Sequence, residues 1–193
     1  RGGVFTVISN KPDHSIHVLI VYPTLDVLGK RNAALGADKK FQKAAAEFFA
    51  IPMKSPAYTR IETRLMKAFS GMPVVELPAS SKKNSARLFE LRIYESHNED
   101  KAARKVAMFN EGEIDIMREV KLGPVFFGET LVADDVPNLT YMLSADNDKA
   151  HKAHWKAFLA HPEWERIKVL PRFKDTVSKI TSVMLKPTGF SEI

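Results

Sequence analysis

A chain of 193 residues has room for one large domain or two of about 100 residues each. At 45 % hydrophobic and 27 % charged it has the composition of a soluble globular protein, with no apolar run near the roughly 20 residues of a membrane span and no stretch laid out as a signal peptide. The absence of cysteine excludes disulfides, thiolate metal sites and cysteine nucleophiles but leaves the compartment open, and any targeting segment would lie upstream of Arg1.

In chain order, Val4 to Ser9 and Ile16 to Tyr22 read as a hairpin. Thr24 to Ala37 follows as about a dozen extra residues, with glycines at 29 and 36, before a helix predicted from Asp38 to Ala50. Tyr58 to Phe69 is β-rich. Pro78 to Ala86, with its Ser80-Ser81-Lys82-Lys83-Asn84-Ser85 run, is a polar linker. Leu88 to Glu95 then alternates, Phe89, Leu91 and Ile93 on one face and Leu88, Glu90, Arg92 and Tyr94 on the other, which predicts a strand with unlike faces. Asn98 is an N-cap with Glu99 and Asp100 behind it, opening a helix to about Val120 that Gly112 weakens and Gly123-Pro124 ends. Val125 to Val132 and Leu139 to Leu143 form a second hairpin around a turn at 134–138. Asp148 opens a helix with Trp155, Phe158 and Leu159 as its apolar stripe, stopped near Pro162, and Lys179 to Lys186 is the last strand.

The two halves echo one another. Phe48-Phe49-Ala50-Ile51-Pro52 matches Phe158-Leu159-Ala160-His161-Pro162, each with an acid ahead of it, Asp38 or Asp148, and Ile61 to Lys67 reads against Ile180 to Lys186. The second half has the order β-α-β-β-α-β, a split βαβ or ferredoxin-like α+β unit whose first strand lies between its third and fourth. The first half offers only the hairpin, helix and last strand. The expected domains are therefore 1–79, a partial repeat lacking its first strand and helix; 80–86, the linker; and 87–193, the complete unit. On this reading about 30 to 40 further residues, a strand and a helix, are expected upstream.

Three stretches carry a resemblance. The strand Phe89-Glu90-Leu91-Arg92-Ile93-Tyr94, the helix end Trp155-x-x-Phe158-x-x-His161-Pro162-Glu163-Trp164 and the ending Met184-Leu185-Lys186-Pro187-Thr188-x-Phe190-Ser191 resemble a NIPSNAP domain. The first half resembles the same domain from its hairpin onward, but Ile51, Met53 and Lys54 stand in the places of His161, Glu163 and Trp164. The resemblance implies a dimeric α/β barrel in which two ferredoxin-like sheets pack face to face around a lumen. A tandem chain would form it within itself as an intramolecular pseudo-dimer.

With Phe89, Leu91 and Ile93 toward the helices, Glu90, Arg92 and Tyr94 are expected to face that lumen, either as an ion pair fixing the packing of the sheets or as a ligand site for a small polar molecule. His161, Glu163 and Trp164 form a second candidate cluster, with His161 capping a helix C-terminus or taking part in binding. His151 and His154 read as surface histidines, and His97 as a residue near the strand end; no third ligand at a telling spacing joins them, so no metal and no cofactor are expected. The net charge of +6 comes from separate basic pairs such as Lys30-Arg31 and Lys39-Lys40, interleaved with acids and without stacking aromatics, so nucleic acid is not an expected partner. Two functions remain: a binding or scaffold protein meeting a protein partner or a small polar ligand, with homo-oligomers open, or a cofactor-independent small-molecule enzyme resembling the monooxygenases on the same barrel. The lumen separates them, because an enzyme needs it open with a histidine or carboxylate facing it while a scaffold can fill it with side chains.

Overall fold

Alternation of β-branched and aromatic residues with polar ones builds one antiparallel sheet. The structure is a computed structural model that describes residues 2–77 and 87–193, so the expected linker, Pro78 to Ala86, lies outside the described residues. The described strands are β1 (Gly2–Val7), β2 (Ile16–Ile20), β3 (Leu65–Ala68), β4 (Leu88–Glu95), β5 (Pro124–Val132), β6 (Asn138–Ala145) and β7 (Lys179–Pro187). They lie in the order β2-β1-β7-β4-β6-β5-β3. Within residues 87–193 the opening strand β4 sits between β6 and β7 and is antiparallel to both, with Glu90 opposite Leu143 on one side and Met184 on the other.

The strands of the first half do not make a sheet of their own. Instead β1 extends the sheet beyond β7, with Phe5, Thr6 and Val7 opposite Pro187, Lys186 and Leu185, and β3 extends it beyond β5, with Met66, Lys67 and Ala68 opposite Thr130, Glu129 and Gly128. The expected strand from Tyr58 to Phe69 is shorter than its composition suggested: only Leu65–Ala68 forms a strand, with the Phe69 backbone N–H donating to the Phe127 carbonyl just beyond it.

The chain divides into two bodies, the residues up to Leu19 together with Arg64–Ile193, and Ile20–Thr63. In the larger, helices α3 (Glu99–Met108), α4 (Ile114–Glu119), α5 (Asp148–Leu159) and α6 (Pro162–Ile167) cover one face of the sheet. Asn98 caps α3 through the Lys101 backbone N–H and Asn147 caps α5 through that of Ala150. The predicted helix to Val120 breaks at a π-type turn, Phe109–Glu113, where Gly112 takes φ 158°. Gly123, at φ 61°, ends the segment, and a Cβ there would meet the Ser144 carbonyl oxygen at 2.4 Å. Pro162 does stop α5, but it also starts α6 as its first residue, a helix the sequence reading missed.

In the smaller body, the residues read as an insertion form helix α1 (Leu25–Ala37), capped by Thr24, followed by α2 (Lys39–Phe49), capped by Asp38. Neither helix buries a side chain fully. Phe48 stacks on Tyr58 at 6.3 Å and meets Phe49 edge-on at 5.9 Å.

Two apolar clusters fill the larger body, one on each face of the sheet. Tyr94, Phe109, Phe127, Tyr141, Phe158 and Phe173 lie between sheet and helices. Phe5, Phe89, Val125, Phe126, Met142 and Leu185 lie on the opposite face, joined by Leu19 of β2 and Met66 of β3. Strands at the two ends of the sheet thus pack on one cluster, and the sheet curls around it, giving a mixed α/β fold with a curled antiparallel sheet.

Candidate functional site

The alternation of β4 is as expected, but its faces are reversed. Phe89 is buried in the cluster away from the helices, its ring 5.0 Å from that of Phe5, whereas Glu90, Arg92 and Tyr94 point toward α3 and α5. They do not line a lumen. A period of two says that the faces differ and not which one meets the helices. That is settled by partners, since α5 brings His151 and Trp155, α3 brings Lys105 and β7 brings Ser182 to the polar face.

Glu90, 4 % exposed, is saturated by four donors. Arg92 Nη1 at 2.5 Å and Ser182 Oγ at 2.6 Å donate to Oε1, and His151 Nε2 at 2.8 Å and Trp155 Nε1 at 2.9 Å donate to Oε2. Burial alone would raise its pKa; the hydrogen bonds from His151 and Ser182 and the Arg92 charge outweigh it and hold the carboxyl at about 2. The Arg92 guanidinium lies 4.8 Å from the Trp155 ring and 5.3 Å from that of Tyr94, and donates from Nε and Nη2 to the Tyr94 hydroxyl. Tyr141 donates to the same hydroxyl at 2.9 Å, and burial pushes both phenols above their ordinary range.

A second buried pair adjoins the first. Lys105 Nζ stands 2.7 Å from Glu113 Oε2, with both residues almost wholly enclosed, and over the Phe109 ring at 4.5 Å and the Trp164 ring at 5.6 Å. Burial raises the Glu113 pKa in spite of the Lys105 ammonium. Around these groups is a cavity of about 710 Å³, lined among others by Arg92, Tyr94, Lys105, His151, Trp155 and Trp164.

His151 is the residue that sequence reasoning misplaced most. It is 6 % exposed, not on the surface; its Nε2 lies 2.8 Å from Glu90 Oε2 and 3.1 Å from Trp155 Nε1, and its Nδ1 has no hydrogen-bond partner in the protein. One signal was available: His151 and Trp155 are four apart and so share a helix face. Lys105 and Glu113, eight apart across the unforeseen π turn, gave none. Among the described residues no group of three or more His, Asp or Glu is placed to hold a metal ion. His97 is exposed just beyond β4.

The second candidate cluster separates. His161 does not cap the C-terminus of α5. It is the N-cap of α6, its Nδ1 accepting the Glu163 backbone N–H at 3.2 Å and its Nε2 lying 3.2 Å from Glu119 Oε2. Glu163 turns outward to Arg166. Of the three, Trp164 alone lines the cavity, its ring 4.8 Å from that of Phe158.

The NIPSNAP family pattern matches residues 89–192, more than half of the chain, and the chain belongs to the NIPSNAP family. Among solved structures it is similar to an uncharacterized NIPSNAP-like domain protein from Burkholderia xenovorans, with 19 % identity, 54 % of this chain and 88 % of that one covered and a TM-score of 0.49. A NIPSNAP family protein with unknown function from Agrobacterium tumefaciens gives 15 % identity, 54 % and 91 % coverage and a TM-score of 0.49. No curated protein matches the chain. No helix among the described residues is long and apolar enough to cross a membrane.

Proposed function

We propose that this chain is a NIPSNAP-type binding or scaffold protein, built from a partial and a complete ferredoxin-like unit joined as a pseudo-dimeric barrel. The observation that carries the reading is the content of the curled face: Phe5, Phe89, Val125 and Leu185 are 0 % exposed there, and a lumen filled by apolar side chains is a core and not a reaction chamber. The ionisable groups lie on the opposite face, and hydrogen bonds from His151 and Ser182 with the charge of Arg92 hold Glu90 at about 2, far from the pKa near 7 that suits a general base.

Support for the pseudo-dimer comes from register. When Ile61–Lys67 is aligned with Ile180–Lys186, the pairs Val7–Leu185, Thr6–Lys186 and Phe5–Pro187 correspond one for one to Thr130–Met66, Glu129–Lys67 and Gly128–Ala68. The two junctions between the halves then follow one rule, as a pseudo-twofold axis requires.

The test is methyl NMR with a soluble paramagnetic probe. The Met142 and Leu185 methyls should be shielded as in any core, and relaxation as strong as that of surface methyls would open the lumen and overturn the reading. One observation favours the cofactor-independent enzyme as a second reading: His151, a histidine whose Nδ1 has no hydrogen-bond partner in the protein, is among the residues that line the 710 Å³ cavity. That chemistry would take place under α5 and not in the barrel.

A further inference from the structure

The cavity under α5 has a buried floor and an open rim. Glu90, Lys105 and Glu113 are buried in its lining, whereas Leu159 and Ile180 are 56 and 50 % exposed there. Trp155 and Trp164 both pack on Phe158, with ring centroids 5.5 and 4.8 Å away, so α5 and α6 present three rings in a row. On β7, Ile180 and Met184 lie opposite Tyr94 and Glu90 and so share their face of the sheet. At about 710 Å³ the space falls within the roughly 300–1,000 Å³ of sites that hold drug-sized molecules. The floor has hydrogen-bond donors to spare. The Arg92 guanidinium has five N–H groups and makes three hydrogen bonds, one to Glu90 and two to the Tyr94 hydroxyl, so two N–H groups have no acceptor among the described residues. The Lys105 ammonium has three and uses two, on Glu113 and on the Met108 sulfur. Acceptors are scarcer: both Glu90 oxygens are filled, and the Tyr94 hydroxyl already takes Arg92 and Tyr141. Burial raises the pKa of Glu113, so this carboxyl takes up a proton more readily than an ordinary one when an anion approaches.

We propose that this cavity binds a small apolar carboxylic acid, its carboxylate on the unpaired N–H groups of Arg92 and Lys105 and its flat hydrocarbon body against the rings of α5 and α6 and the aliphatic side chains of β7. A carboxylate is the head group that fits, because it brings acceptors only, carries the charge that two cations favour and matches the planar fork of a guanidinium. A flat body fits the aromatic wall, since rings pack offset or edge-on against Trp155 and Trp164. The inference gives the binding reading a ligand class and rests on it, but it does not depend on the pseudo-dimer.

The probe is naphthalene-2-carboxylate, titrated into the intact protein and followed by NMR. The chain's two tryptophans both line the cavity, so their indole N–H signals report the site directly. Saturable one-to-one shifts of both are expected. Naphthalene-2-carboxamide, the same body without the charge, should bind about tenfold or more weakly, and 2-naphthylmethylamine, which brings a cation, should not saturate. Ile180→Trp, at the exposed rim, should block the mouth and abolish binding while the thermal melt stays as in wild type. Lys105→Met with Glu113→Gln removes one charge of each sign and should bring the affinity for the acid down to that for the amide. Acid and amide of equal affinity, an amine that binds as well, or an Ile180→Trp protein that binds unchanged overturns the proposal. The Met142 and Leu185 methyls, on the other face of the sheet, separate its failure from that of the filled lumen. If they shift in place of the tryptophans, the ligand has entered the barrel and both fall; if neither set moves, the proposal falls and the filled lumen stands.

Discussion

The two faces of β4 bury opposite chemistry within one strand. On one, Phe89 meets Phe5, Met142 and Leu185 in a cluster without a charge; on the other, Glu90, Arg92 and Tyr94 meet His151, Trp155 and Ser182 through hydrogen bonds. Apolar contact is non-directional, so the first face tolerates substitution in proportion to the volume lost. The second is a network in which each group satisfies another, so it fails when a single partner is removed. The helices are therefore tied to the sheet by specific polar contacts, while the curl of the sheet is held by bulk.

The largest effects fall on the two faces themselves, equal in size and different in kind. Arg92→Ala leaves Glu90 buried without its cation, and about 3–5 kcal/mol of stability should be lost. Phe89→Ala should cost a similar 3–5 kcal/mol through the cavity it leaves. Thermal melts of Arg92→Ala, Glu90→Ala and Phe89→Ala and of the double mutants with Arg92→Ala sharpen the contrast: Arg92→Ala should couple strongly to Glu90→Ala, whereas with Phe89→Ala, on the other face, it should add within about 0.5 kcal/mol. An Arg92→Ala melt equal to wild type would mean that the polar face is wet.

Next in size is an acid limb. The Glu90 carboxyl is held at about 2 in the folded chain against an ordinary 4.5, so the unfolded chain binds the proton more readily. Its contribution is complete above about pH 4.5 and is lost as pH falls toward 2; allowing for screening through the cavity it amounts to about 2–3 kcal/mol. Denaturant midpoints measured between pH 5 and 2 should fall less steeply in Glu90→Gln than in wild type. Parallel slopes would remove Glu90 as the cause.

The strands were legible because β4, β5, β6 and β7 alternate or are continuously apolar between clear turn residues, and Asn98 and Asp38 announce their helices by capping chemistry. What was not legible depends on partners distant in sequence. The side of the sheet that takes Glu90 is decided by His151, 61 residues away. The buried Lys105–Glu113 pair requires the turn at Gly112, and the edge pairing of β1 and β3 requires the second half to be folded beneath them. Composition also overstated the first half's last strand, since a β-rich stretch makes a strand only where a ladder exists to receive it.

The smallest expected effect lies outside both faces, at His161. Its Nδ1 accepts the Glu163 backbone N–H and so satisfies one of the free donors at the start of α6, while Pro162 at the first helical position has no N–H to satisfy. The role needs an acceptor at that point and no charge. His161→Ala should therefore cost about 1 kcal/mol, and His161→Asn, which keeps a side-chain acceptor at a position asparagine favours, should recover most of it. Because the neighbouring Trp164 lines the cavity and packs on Phe158, the alanine variant should also alter tryptophan fluorescence, whereas the asparagine variant should not. If asparagine is as destabilising as alanine, the contact that matters is the one from Nε2 to Glu119, which asparagine is too short to reach.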